Sequence, residues 1–190
     1  MAQDSKGLLV VIAAPSGGGK TTIANELLSR FSNAKRLITC TTRPARNTEI
    51  PNQDYVFLSN AQFDEQIKAN MFAEWATVHG NRYGTSKRSI EESLSKGEIL
   101  LMTIDIQGAK SIKAQYPKSL SIFMMPPDFD ILETRLRKRG TETDADIRTR
   151  LETARREIVQ AKDLDFQVLN DRLDRAALEI ESIIRKRLGA

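Results

Sequence analysis

Leu8-Leu9-Val10-Val11-Ile12-Ala13 runs directly into Ala14-Pro15-Ser16-Gly17-Gly18-Gly19-Lys20-Thr21 and then Thr22-Ile23-Ala24-Asn25-Glu26-Leu27-Leu28. An aliphatic run, a glycine-rich turn and a helix-forming segment, in that order, predict a buried strand, a tight loop and a helix. Three consecutive glycines carry no Cβ atoms to keep backbone N–H groups from converging on one anion, and a helix beginning at Lys20 adds the positive end of its dipole. The stretch therefore reads as a phosphate site, with a plain glycine-rich turn beside a surface lysine as the alternative. It follows G-x-x-x-x-G-K-[ST] except at Ala14, which must take a backbone compatible with a Cβ. Lys20 can reach the outer phosphates of a nucleoside triphosphate, and the Thr21 hydroxyl can ligate the magnesium ion those phosphates carry.

Working outward, 190 residues suit one domain with a full core and leave no room for a second catalytic domain. A net charge of +4 comes from arginines spread along the chain, without a basic tail or an RNA-binding motif, which fits small polyanions as well as nucleic acid. The single Cys40 excludes an internal disulfide and reads as a small buried residue. Met1 to Lys6 lacks the apolar core of a signal peptide, and no window approaches the ~18 apolar residues of a membrane span. A cytosolic protein with no membrane or nucleic-acid partner is expected; whether it is a monomer or a homo-oligomer is left open.

Along the chain, Arg36 to Thr42 is β-branched and predicts a second strand, and Tyr55 to Leu58 a third. Ser59 to Phe63 looks like a helix start, with Phe63, Ile67 and Met71 along one face. Residues 36–86 thus read as a small mixed lobe inserted into an α/β core. The core resumes with a helix at Ser89–Leu94, a stop at Gly97, a buried strand from Glu98 to Asp105, a helix through Ser111 and Ile112, and a strand at Leu120–Met124. Helices follow from Asp128 to Lys138 and from about Ala145 to Ala161, separated by a polar break at Arg139 to Asp144. A strand at Phe166–Leu169 and a helix from Leu173 to Leu188 complete the chain. Strands separated by helices imply right-handed crossovers and a parallel sheet covered on both faces. The expected fold is α/β: a three-layer core (1–35, 87–138, 162–190), the inserted lobe (36–86) and a helical lid (139–161).

An arginine-bearing lobe and, further along the chain, an arginine-bearing break, both following the phosphate loop, suggest two phosphorylated ligands facing each other. Six blocks sharpen this: Thr39-Cys40-Thr41-Thr42-Arg43-Pro44-Ala45-Arg46; Glu49 with Tyr55 six residues on; Phe72-Ala73-Glu74-Trp75-Ala76; Gly80-Asn81-Arg82-Tyr83-Gly84-Thr85; Ile104-Asp105-Ile106-Gln107-Gly108; and Arg139-Gly140-Thr141-Glu142. In order and over nearly the whole chain, these resemble guanylate kinase, a P-loop nucleoside monophosphate kinase family. The resemblance implies transfer of the γ-phosphoryl of ATP to GMP or dGMP, with Mg2+ accompanying ATP.

It also implies a set of site residues. The ATP side would comprise Ala14, Pro15, Ser16, Gly17, Gly18, Gly19, Lys20, Thr21, Thr22 and Asn170. Arg43 and Arg46 could grip one phosphate with planar forks while Tyr55 and Tyr83 add phenolic donors. Guanine presents adjacent N1–H and N2–H2 donors that one carboxylate can accept together, and by family position Glu74 reads that edge, with Thr39 and Thr85 as accessory hydroxyls. Asp105 lies beside the loop, where it can order magnesium water and approach the GMP site; Thr103 stands where the family commonly has another acid. Catalytic roles fall to Lys20, Arg43, Arg139 and Arg150. The other arginines between 135 and 156 read as a solvated helical face, Trp75 as packing, Gln107-Gly108 as a tight turn, and His79 as an ordinary polar residue. Thr48 and Asn52 replace common glycines.

Two alternatives stay open. Another P-loop nucleoside monophosphate kinase would carry a different acceptor pocket. A guanylate-kinase-like interaction module would have lost catalysis and usually has a damaged phosphate loop, whereas Lys20, Thr21, Arg43 and Asp105 all stand here.

Overall fold

A computed structural model describes residues 7–46, 49–78, 80–138 and 143–189. Met1 to Lys6, Thr48 and His79 lie outside the described residues. The strand expected ahead of the loop is β1, Leu8–Ala13, and all six of its residues are buried. It is the middle strand of a five-stranded sheet ordered β2-β7-β1-β8-β9, formed with Ala34–Arg36 (β2), Ile99–Ile104 (β7), Leu120–Met125 (β8) and Phe166–Leu169 (β9). Every pairing in this sheet is parallel.

The run in β1 is continuous because both faces of the sheet are covered. Leu8, Val10 and Ile12 enter one core with Ile23 and Leu27 of α1 (Lys20–Arg30) and Ile180 and Ile184 of α7 (Leu173–Leu188). Leu9, Val11 and Ala13 enter the other, with Ile90 of α3 (Lys87–Ser95) and Ile106 and Ile112 of α4 (Ile106–Gln115). The alternation of a strand thus feeds two cores from one sequence. Two further helices, α5 (Phe129–Arg137) and α6 (Asp144–Gln160), precede β9.

The expected strand Arg36–Thr42 is two strands in two sheets. After β2, Leu37 donates its N–H to the Leu101 carbonyl at 2.8 Å and is buried, and the chain then leaves for β3, Thr39–Thr41. There it pairs parallel with β4 (Tyr55–Phe57) and antiparallel with β6 (Asn81–Ser86), which also pairs with β5 (Phe72–Val78) in the order β4-β3-β6-β5. Burial decides the division: Cys40 leaves the main core to join Phe63 and Phe72 in a separate one. That burial pushes the Cys40 thiol up to about 11, so it is a packing residue and not a nucleophile.

Helix α2 (Asn60–Lys68) lies on this second sheet, started by a capping box between Ser59 and Gln62. Gly84 lets the sheet approach its own core, since a Cβ there would come within 2.9 Å of the Phe72 ring. Two readings need correction. The helix stops at Lys68, so Met71 is exposed and extends no apolar stripe. Trp75 is 49% exposed; it meets Phe63 only edge-on, with centroids 6.4 Å apart, and is not core packing. Among the described residues, no helix is long and apolar enough to cross a membrane.

Candidate active site

The carboxyl ends of β1 and β7 open toward the second sheet, and between them lies a cavity of about 670 Å3. Its floor is the loop. Gly17 and Gly19 take φ of 82° and 86°, left-handed values that a side chain resists. Ala14 does not, so the one departure from the phosphate-loop pattern falls where alanine carries no backbone strain. A Cβ at Gly18 would come 2.8 Å from that of Ala14, so the loop closes on itself only with glycine there. Helix α1 starts at Lys20 from Gly19, which provides no side-chain cap, and no acid lies in the first turn. Its first amides are therefore left for an anion. Lys20 Nζ sits over the same turn, 2.5 Å from the Ala14 carbonyl.

Two residues hold the loop from outside. Asn170, 5% exposed just past β9, donates its Nδ2–H to the Gly18 carbonyl at 2.9 Å. It braces the loop from behind and its amide nitrogen is committed there. Arg150 on α6 donates from Nη1 to Ser16 Oγ at 2.6 Å, tying α6 to the loop. Arg139 lies outside the described residues.

The second sheet supplies the facing wall. Thr39, Tyr55, Glu74 and Tyr83 line the cavity. Glu74 is 9% exposed, and its Oε1 accepts from the fully buried Thr85 hydroxyl at 2.7 Å, so Thr85 supports Glu74 from within the sheet. Burial pushes the Glu74 carboxyl up to about 7; the Thr85 bond opposes this and the Asp105 carboxylate adds to it. Asp105 also lines the cavity, one residue past β7, where its Oδ1 accepts from Gly108 N at 2.8 Å and caps α4. The expected tight turn at Gln107-Gly108 is therefore the first turn of that helix. A Cβ on Gly108 would lie 3.3 Å from Glu74 Oε2 and 3.5 Å from Asp105 Oδ1, so glycine keeps the two carboxylates within reach of one site.

Arg43 lies beside the phenolic wall, its guanidinium carbon 5.4 Å from the centre of the Tyr55 ring and its Nη2 bonded to both oxygens of Glu49. Arg46 is exposed on the same loop, and its N–H donates to Glu49 at 2.8 Å. The cavity thus gathers Ala14 to Thr22, Thr39, Tyr55, Glu74, Tyr83, Asp105 and Arg150, while Thr85, Asn170 and Arg43 support its walls.

One face of α6 was missed. Thr153, Arg156, Glu157 and Gln160 line the cavity together with Arg150. Arg155 and Arg156 are both exposed, as a solvated face requires, although Arg156 also borders the cavity and Arg155 lies over the Phe129 ring at 4.3 Å. The available signal was helical spacing, which sets Arg150, Thr153, Glu157 and Gln160 on one side of the helix. Burial raises the Glu157 carboxyl to about 7, with Lys20 opposing and Asp105 adding to the shift.

Thr21 and Asp105 supply a hydroxyl and a carboxylate facing one space, and among the described residues no group of three His, Cys, Asp or Glu could hold a metal ion. That donor set fits a magnesium ion held mainly by phosphates and water, not an all-protein cage.

A family model described as guanylate kinase matches residues 6–187. A guanylate kinase of Syntrophotalea carbinolica is 44% identical over 178 residues, 94% of this chain and 85% of the relative. One of Thermotoga maritima is 40% identical over 180 residues, 95% and 87% of the two chains. The crystal structure of guanylate kinase from Anaplasma phagocytophilum superposes with a TM-score of 0.79 at 30% identity, covering 97% of this chain and 87% of that one.

Proposed function

The chain belongs to the guanylate kinase family, and from that premise we propose how its residues divide the work of a nucleoside monophosphate kinase that transfers the γ-phosphoryl of ATP to GMP. The loop from Ala14 to Thr22 takes the donor triphosphate, the second sheet forms the acceptor lobe, and residues 139–161 act as a lid. The observation that carries this reading is the position of Glu74. It is a buried carboxylate in the same cavity as Lys20, backed by a threonine that can only orient it.

Guanine would donate N1–H and N2–H to that carboxylate. Two donors on one acceptor favour its ionised form and draw its pKa back down on binding. Adenine presents an acceptor at N1 and would leave Glu74 unpaired and buried, which disfavours AMP by several powers of ten. dGMP presents the same base edge to Glu74 and should be accepted as well.

Arg43, Arg46, Tyr55 and Tyr83 would hold the acceptor phosphate, already anionic at neutral pH, so no general base is needed. One of its oxygens forms the new bond to the γ-phosphorus as the bond from that phosphorus to the β–γ bridging oxygen breaks, leaving ADP. Lys20, the α1 amides, Arg150 and Arg139 would meet the charge that builds on the bridging and equatorial oxygens. Magnesium, carried by ATP beside Thr21 and Asp105, would neutralise part of the same charge.

The test is ADP formation from ATP and magnesium with GMP, dGMP, AMP, CMP and UMP as acceptors. GMP and dGMP should be phosphorylated at rates far above the rest. Comparable turnover of AMP would remove the role given to Glu74.

A further inference from the structure

We propose that Glu49 is a positioning residue for the acceptor phosphate, holding Arg43 and the Arg46 backbone in the geometry that grips it; this rests on the phosphate-site reading above. A carboxylate beside a phosphate-binding pair is otherwise a liability, since it repels the ligand. Here it is committed. Its two oxygens accept from Arg43 Nη2 at 2.7 and 2.9 Å, and Oε2 also accepts from Arg46 N at 2.8 Å. The Glu49 N–H donates back to the Arg46 carbonyl at 3.0 Å, so Glu49 holds the Arg46 backbone through both its side chain and its main chain.

The pair is well shielded, with side-chain exposures of 15% for Arg43 and 14% for Glu49, so it is stronger than a surface ion pair. Arg43 Nη1 donates to the Pro44 carbonyl at 2.7 Å, and its guanidinium lies over Tyr55. Neither the Glu49 nor the Pro44 bonds use Nε. The fork is therefore fixed in plane and tilt before the ligand arrives, with donors left over. A free arginine side chain holds about 2 kcal/mol of rotamer entropy, and an anchor that removes it beforehand strengthens every later contact.

Glu49→Gln keeps an acceptor for the Arg46 amide and removes the charge that orients Arg43. Titration of the fluorescence of Trp75, the single tryptophan, with GMP and with guanosine measures the effect. Glu49→Gln should weaken GMP about tenfold, the size of one charge-assisted contact, and leave guanosine within about twofold. KM for GMP should rise in step, with KM for ATP nearly unchanged. Adding Glu49→Gln to Arg43→Lys should cost little beyond Arg43→Lys alone, because both break one unit. If Arg43→Lys weakens GMP and Glu49→Gln does not, this inference fails and the site reading stands. If Arg43→Lys also leaves GMP unchanged, the site reading itself fails. Equal weakening of guanosine would make Glu49 a general support of the lobe and overturn the inference.

Discussion

Glu74 and Thr85, facing each other across β5 and β6, share a 2.7 Å hydrogen bond in which the donor is fully buried and the acceptor 9% exposed. One hydroxyl does not replace the hydration a carboxylate loses, so the charged form stays unfavourable until a ligand supplies more donors.

The pH dependence follows. For GMP, the ionised carboxylate is the competent form, and with a pKa of about 7 its population rises roughly tenfold from pH 6 to pH 8. KM for GMP should fall across that range, and Glu74→Gln should flatten the trend while weakening selectivity for GMP over AMP. Stability runs the other way. Because the native carboxyl is raised above its unfolded value of 4.5, the folded state binds more protons between pH 4.5 and 7, and stability falls as pH rises through that window. Glu157 acts with the same sign. Melting temperatures of Glu74→Gln and the unsubstituted protein should therefore diverge from pH 5 to pH 8, the variant gaining ~2–4 °C per kcal/mol relieved. A constant difference would show that Glu74 is not desolvated.

Lys20 is the second test. Lys20→Ala removes the lysine that sits over the loop and leaves Glu74, Tyr55 and Tyr83 in place. GMP affinity, read from Trp75 fluorescence, should hold within about twofold while kcat falls by ~100-fold or more, the usual loss when a preorganised charge is removed from a transition state. Near-normal turnover would end the phosphate-loop assignment.

What could be read from the sequence was whatever a local physical rule controls. β1 and its loop were legible because continuous burial and three glycines each have one common cause, and α7 was placed to the residue, from Leu173 to Leu188. The stretch from Arg36 to Thr42 was misread because β propensity does not say which sheet a residue joins; the buried site waiting for Cys40 does. Trp75 was misread because an aromatic on a strand of a small lobe can face outward when Phe63 and Phe72 already fill its core. Glu157 was missed because charge on a long helix looks solvated until the loop it covers is known.

Asn170 extends this to the loop's mechanics. Its amide holds the Gly18 carbonyl, and a Cβ on Gly19 would come 2.9 Å from its Nδ2, so side chain and loop fit only as a pair. Asn170→Ala should raise KM for ATP by roughly tenfold by freeing the loop, with KM for GMP within about twofold. Gly19→Ala should be worse, since it adds left-handed strain of ~1–2 kcal/mol to the lost contact. Equal changes in both KM values on Asn170→Ala would mean the residue supports the fold and not the loop.

Arg150 reaches the loop through Ser16 at 2.6 Å, with both groups bordering the space proposed for the transferring phosphoryl group. Two readings of that bond lead to different kinetics. If it mainly latches α6 onto the loop, Ser16→Ala and Arg150→Ala should be equally harmful, since each removes the same contact. If Arg150 instead uses Ser16 as a resting place and turns to the phosphates during transfer, Ser16→Ala should cost only a few-fold, while Arg150→Ala lowers kcat by about 100-fold with little change in KM for either substrate. The second outcome is expected, because Arg150 borders the cavity beside the loop and brings a fixed positive charge there, which the neutral Ser16 hydroxyl does not.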